Sequence, residues 1–275
     1  MEFYEILDAV REQKPLVQCI TNFVTVNDCA NILLAAGASP TMAQDIREVE
    51  EAVAGVNGLV CNMGAIDLVD SMILAGKRAN ELGIPVVLDP VAAGGTTLRR
   101  QLSAKLLEEV YFSAIRGNAS EIRALAGQES LGSGVDVAAW DTIIPENLVQ
   151  SVELIGGLAK RTGAVIAVSG AMDVVSNGTQ TILLHNGCST MARITGSGCM
   201  LTTLIGAFCA AAPEHPFEAA CAAMAAMGIC GEIAEEKRLQ NKTGNATFRT
   251  DLIDAVFNLT EQELKERIRY EIYEG

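Results

Sequence analysis

A chain of 275 residues with 20 basic and 34 acidic side chains carries a formal charge of −14, which opposes non-specific attraction to nucleic acid and to anionic lipid. Apolar residues make up 49% but aromatics only 4%, so the core must be aliphatic and alanine-rich, as where helices lie on a sheet. An acidic chain can still hold a nucleotide, because backbone amides, one or two cations and Mg²⁺ set the local field.

The first fifteen residues carry Glu2, Glu5, Asp8, Arg11 and Glu12 and no apolar leader core. No apolar run free of polar breaks reaches the ~20 residues that span a bilayer. Strands are expected at Leu16–Thr21, Ser39–Met42, Gly58–Asn62, Pro85–Leu88, Tyr111–Ile115, Ala164–Val168, Asp173–Ser176 and Thr179–His185. Between them the apolar spacing predicts helices over Val26–Ala36, Ile46–Gly55, Ile66–Leu82, Arg99–Val110, Ala119–Ala126 and Pro145–Arg161. This alternation is the signature of an α/β fold with a mostly parallel sheet. Asn177-Gly178 between two β-rich runs predicts an antiparallel hairpin. Gly127–Ile144, with Trp140, reads as a surface excursion. The remainder reads as all helix: Cys199–Ala212, Phe217–Arg238, Gly244–Asn258 and Glu261–Ile272. In the last quarter of the chain the alanine-rich Ala219–Gly231 reads as small residues that let core helices approach closely. No repeat, low-complexity tract or linker divides the chain, so residues 1–275 are expected to form one domain.

Cys19, Cys29, Cys61, Cys188, Cys199, Cys209, Cys221 and Cys230 form no CxxC and no Cys/His metal spacing. Most lie in apolar runs and read as reduced, buried thiols of a cytoplasmic protein. Ligands of open α/β sheets bind at the carboxyl ends of the strands. Six strand ends here run into polar residues, among them Asn22, Met42 with its thioether, Asn62, Asp89, Arg116 and Ser169. Asp89 follows an apolar strand and precedes proline, where its carboxylate can coordinate Mg²⁺ or serve only as a turn acid. Arg116 at such an edge suits phosphate. Glu121 stands in the first turn of the next helix, where simple capping is the competing explanation. His185 and His215 fit no catalytic or ligand pattern and read as structural or surface residues.

The turn Thr195-Gly196-Ser197-Gly198-Cys199 opens an apolar helix and leaves backbone N–H groups free for an anion. The same glycines also serve plain helix–strand connections. Cys199 at the helix N-terminus is expected to have a lowered thiol pKa, fit to accept a proton from an attacking alcohol; the alternative is a small residue filling the first turn.

Gln18 to Thr25, Ala36 to Ala43, Leu88-Asp89-Pro90-Val91, Arg116 to Ile122 and Thr195 to Cys199, in this order, resemble the hydroxyethylthiazole kinases of thiamine salvage. The resemblance implies a ribokinase-like fold, helices on both sheet faces, ATP as co-substrate, Mg²⁺, and phosphorylation of 5-(2-hydroxyethyl)-4-methylthiazole at its primary alcohol. It further implies a homotrimer with active sites at subunit interfaces. By motif, Met42, Asn22, Val24 and Gly196 meet the thiazole, Arg116 and Ser169 meet ATP, and Asp89 and Glu121 support Mg²⁺. The amides of residues 196–199 stabilise the transferring group. Related sugar and pyrimidine kinases carry aspartate where this chain has Cys199, which becomes the candidate base. A kinase of another heterocyclic alcohol, such as a hydroxymethylpyrimidine, and a non-catalytic nucleotide- or vitamin-binding module are the competing readings.

Overall fold

The computed structural model describes residues 2–127 and 142–274. In chain order, α1 (Ile6–Gln13), β1 (Leu16–Ile20), α2 (Val26–Ala36), β2 (Ser39–Thr41), α3 (Val49–Val53), β3 (Gly58–Asn62), α4 (Val69–Leu82) and β4 (Val86–Asp89) alternate. They are followed by α5 (Thr97–Glu109), β5 (Ala114–Asn118), α6 (Ala119–Leu125), α7 (Leu148–Thr162) and β6 (Val165–Ser169). The hairpin β7 (Asp173–Ser176) and β8 (Thr181–Leu184) leads to α8 (Ser197–Ala211), α9 (Pro216–Asn241), α10 (Asn245–Asn258), α11 (Glu261–Arg267) and β9 (Tyr270–Ile272). The excursion expected over Gly127–Ile144 falls mainly on 128–141, outside the described residues.

The strands form one sheet in the order β2-β1-β3-β4-β5-β6-β7-β8-β9. Pairing is parallel from β2 to β6 and antiparallel from β6 to β9. Alternating side chains feed two cores. Val17, Cys19, Val60 and Val87 pack with α1, α2, α8, α9 and α10, while Ile20, Leu59, Cys61 and Leu88 pack with α3 to α7. Cover on both faces explains why β3 and β4 are buried along their whole length and read as continuous apolar runs. α9 is long and apolar enough by composition to cross a bilayer, yet 83% of its most apolar window is buried inside the protein, as in a core helix.

Two expectations are corrected. The C-terminal part is not all helix: α11 stops at Arg267, and Tyr270–Ile272 adds an antiparallel strand to β8, pairing Ile182 with Ile272. The unpaired edge of β8, far away in sequence, decides that conformation. The strand expected at Tyr111–Ile115 begins later, at Ala114, where pairing with Val87 of β4 and Val165 of β6 starts, and runs on because β6 offers backbone partners through Asn118; Tyr111 is left exposed. Arg116 therefore lies inside β5, not after it.

Candidate active site

Parallel pairing brings the carboxyl ends of β1, β3, β4, β5 and β6 to one edge. The register sets Asn62 of β3 beside Asp89 of β4, and their side chains bond, Asn62 Nδ2 donating to Asp89 Oδ2 at 2.9 Å. Thr202 Oγ1, from α8, donates to the same oxygen at 2.9 Å. Asn62 Nδ2 also donates to Cys199 Sγ at 3.2 Å, and Asn22 Nδ2 reaches that sulfur at 3.6 Å. Asn62 Oδ1 accepts from Gly64 N at 2.9 Å and from Asn22 Nδ2 at 3.2 Å. A backbone N–H on Oδ1 excludes the flipped amide, so the Asn62 NH₂ must face the carboxylate and the sulfur. Asn22 Oδ1 in turn accepts from Val24 N and Thr25 N, holding the turn after β1.

Burial pushes Asp89 up to about 6, against the pull of Arg116 and the bonds from Thr202 and Asn62; Glu121 adds to the rise. Cys199 departs from expectation. Desolvation and the nearby Asp89 raise its thiol above the usual value, and the hydrogen bonds from Thr25, Asn62 and Asn22 oppose this only in part. A helix N-terminus lowers a thiol pKa where solvent shares the charge; here burial is the largest influence and its direction is upward.

Gly196 caps α8 at φ +87, a conformation open to glycine, and a Cβ there would stand 2.8 Å from Thr25 Cγ2. The first helical bond runs from Met200 N to Gly196 O at 2.8 Å, so the amides of Ser197, Gly198 and Cys199 precede the ladder. On the other flank of this turn lies Arg116, 9% exposed, donating through Nη2 to Ser169 Oγ. Its guanidinium lies so close to Gly198 that a Cβ there would collide with Nη1. Arg116 Nε is buried without a hydrogen-bond partner among the described residues. A buried cation with an unspent N–H, at the mouth of a helix, is suited to an anionic oxygen. Arg116, Ser169, Asp173, Ser197 and Gly198 border a cleft of about 560 Å³ whose deeper wall includes Met224 and Met227. Burial raises Asp173 to about 7, opposed by Gly170 N–H and by Arg116.

The fold thus gathers Asn22, Asp89, Gly196 and Cys199 on one flank and Arg116 with Ser169 on the other. Glu121 caps α6, its Oε2 accepting from Asn118 N, while Oε1 accepts from Ala92 N, both at 2.8 Å. Met42 is half-buried against the core that α1, α2, α8, α9 and α10 cover. The Val24 side chain is 55% exposed and does not join the cluster. The residues given no role from sequence are Asn62, Thr202 and Asp173. Asn62 shares with Asp89 the signal of a polar residue ending a buried strand, whereas Thr202 is hidden within an apolar helical run.

A mostly parallel sheet flanked by helices, polar strand ends and a glycine-capped helix over a nucleotide-sized cleft define a small-molecule kinase of ribokinase-like fold. An ADP complex of Bacillus subtilis pyridoxal kinase has the same fold, with TM-score 0.56 at 17% identity, covering 77% of this chain and 89% of that one. The sequence pattern of the hydroxyethylthiazole kinase family matches residues 7–262, and the chain belongs to that family. Hydroxyethylthiazole kinases of Clostridium acetobutylicum and Clostridium tetani are 48% and 46% identical to it, covering 98% and 97% of this chain and 99% and 96% of theirs. The solved hydroxyethylthiazole kinase structure from Pyrococcus horikoshii superimposes with TM-score 0.86 at 35% identity, each chain 99% covered.

Proposed function

We propose that the chain, as a single kinase domain, transfers the γ-phosphoryl group of ATP to the primary alcohol of 5-(2-hydroxyethyl)-4-methylthiazole. The observation that carries this reading is the two-sided turn at residues 196–199: Gly198 meets Arg116, while Gly196 and Cys199 meet Thr25, Asn22 and Asn62. Donor and acceptor then approach one helix N-terminus from opposite flanks. ATP lies in the cleft, its phosphates toward Arg116 and Ser169. The thiazole lies toward Met42, Asn22, Val24 and Gly196.

In the transfer, the O–P bond to the alcohol forms as the bond to the ADP oxygen breaks, and the hydroxyl proton passes to Cys199 Sγ in the molecules that hold it as thiolate. Asn62 and Asn22 hold that sulfur as an acceptor. Its raised pKa leaves little thiolate at neutral pH, so the free amides of Ser197, Gly198 and Cys199 carry more of the stabilisation than the base does. The residues fit Mg²⁺: both hydrogen bonds to Asp89 fall on Oδ2, and the two carboxylates are near enough for Glu121 to raise Asp89. When bound there, Mg²⁺ would neutralise phosphate charge; Asp89 and Glu121 would hold it with water and phosphate oxygens. Phe23, 91% exposed beside Asn22, with exposed Val24 and Ile46, supports a homotrimer in which a neighbouring subunit covers the thiazole side. Eight free thiols among the described residues suit the cytoplasm.

Purified protein given Mg-ATP and the thiazole alcohol should yield thiazole phosphate and ADP in equal amounts. No thiazole phosphate, with efficient consumption of a hydroxymethylpyrimidine instead, overturns the substrate assignment.

A further inference from the structure

The alanine- and glycine-rich part of α9 and Arg269, just before the C-terminal strand β9, take no part in the chemistry above, yet both bear on one wall of the cleft. That wall is the segment 186–192, which contributes Asn186, Gly187, Cys188 and Met191 to the lining. It is pressed onto α9 at two points. A Cβ on Gly228 would stand 2.8 Å from Asn186 Cβ, and one on Gly231 would stand 2.6 Å from Met191 Sδ. Cys188 Sγ donates to Gly231 O at 3.3 Å.

The next residue of the helix, Glu232, holds the segment in place. Its Oε1 accepts from Gly187 N at 2.9 Å and from Arg269 Nη2 at 2.6 Å, and Asn186 Nδ2 lies 3.3 Å from its Oε2. Arg269 precedes β9. Its Nη2 also donates to His185 O at 2.7 Å, and its backbone N–H donates to Asn186 Oδ1 at 2.8 Å. The Glu232 side chain is 15% exposed and that of Arg269 55%, so the carboxylate is sheltered while the guanidinium reaches solvent, and the hydrogen bonds to the wall add to what the ion pair contributes.

We propose that Glu232 and Arg269 are positioning residues for the nucleotide: together they clamp the 186–192 wall to α9 and so set the affinity of the cleft, touching no substrate themselves. The proposal rests on reading the cleft as the ATP site. A wall already ordered by the clamp does not have to be ordered by the ligand, so loss of the clamp weakens nucleotide binding. The hydrogen-bonded cluster of Asn62, Asp89 and Cys199 lies on the other flank of α8, and turnover at saturation is unaffected.

The test titrates wild type, Arg269→Ala, Arg269→Lys, Glu232→Gln and Arg116→Ala with Mg-ATP, and measures kcat and both KM values. Arg269→Ala and Glu232→Gln should raise the Mg-ATP Kd about ten-fold. Arg269→Lys should recover part of the loss, while kcat at saturating ATP and the KM for the alcohol stay within about two-fold of wild type. Unchanged Mg-ATP affinity in folded Glu232→Gln overturns the clamp, even where Arg269→Ala does not fold. Arg116→Ala separates the two ideas. If it weakens nucleotide binding and the clamp variants do not, the clamp alone is wrong; if none of the variants alters binding, the cleft is not the nucleotide site.

Discussion

On one flank of the α8 N-terminus, Asn22, Asn62, Asp89, Thr202 and Cys199 bond to one another and are largely buried. On the other, Arg116 borders an open cleft with its Nε–H unpaired among the described residues, and much of the wall is backbone and small residues. The first flank is organised before any substrate arrives. The second is left incomplete and supplies one cation and several amides to a ligand that brings its own charge. Damage to the closed flank should therefore appear in turnover, and damage to the open flank in nucleotide affinity.

The sharpest break of this division is Asp89→Asn. It should lower kcat by about 10³-fold, the scale seen when an electrostatic group at a reacting centre is removed. The same variant should be more stable than wild type in metal-free buffer at neutral pH. The folded-state pKa of about 6 stands above the unfolded 3.8. The folded protein therefore binds the proton more tightly, and its stability falls as pH rises through that window. The full cost at pH 7 is at most roughly 3 kcal/mol. Asp173, raised to about 7, acts with the same sign over a wider window. Thermal melts of wild type and Asp89→Asn across that range should diverge with rising pH; parallel curves would remove burial as the cause.

Cys199→Ala comes next, with kcat reduced by about 10² and little change in Mg-ATP affinity, while Cys199→Asp retains turnover. In wild type, kcat should keep rising on the alkaline side because the thiol titrates above its usual value. Unaltered turnover in the alanine variant removes Cys199 from the base role and leaves the backbone amides as the principal catalyst. Asn62→Ala should cost about ten-fold in kcat by releasing both Asp89 and Cys199, with the ATP KM unmoved; an equal rise in ATP KM would mean that the flanks are not independent. Gly198→Ala probes the open flank. Its added methyl displaces Arg116 and should raise the ATP KM about five-fold while sparing the alcohol.

Much of this arrangement is legible in the chain because its carriers are local. Gly58–Asn62 and Val26–Ala36 occur as expected, since an apolar run or an amphipathic spacing is set by neighbours in sequence. The polar residues after those runs marked the functional edge, because parallel strands bring their carboxyl ends together whatever the loops do. Tyr270–Ile272 was not legible as a strand: its partner β8 lies almost ninety positions earlier, and only the folded sheet exposes that edge. The link between Asn62 and Cys199 likewise joins residues 137 positions apart.

By itself the sequence determined the α/β alternation, the strand ends that carry Asp89 and Ser169, and the glycine turn before Cys199, since each follows from residue type and short-range spacing. Only the tertiary structure decided which of these groups share a flank and what protonation they favour. Register places Asn62 against Asp89, α8 carries Thr202 and Cys199 onto them, and the exclusion of water raises both the carboxyl and the thiol. Desolvation is a property of the packed surroundings, so no reading of Cys199 within its own helix could have shown that burial raises its thiol.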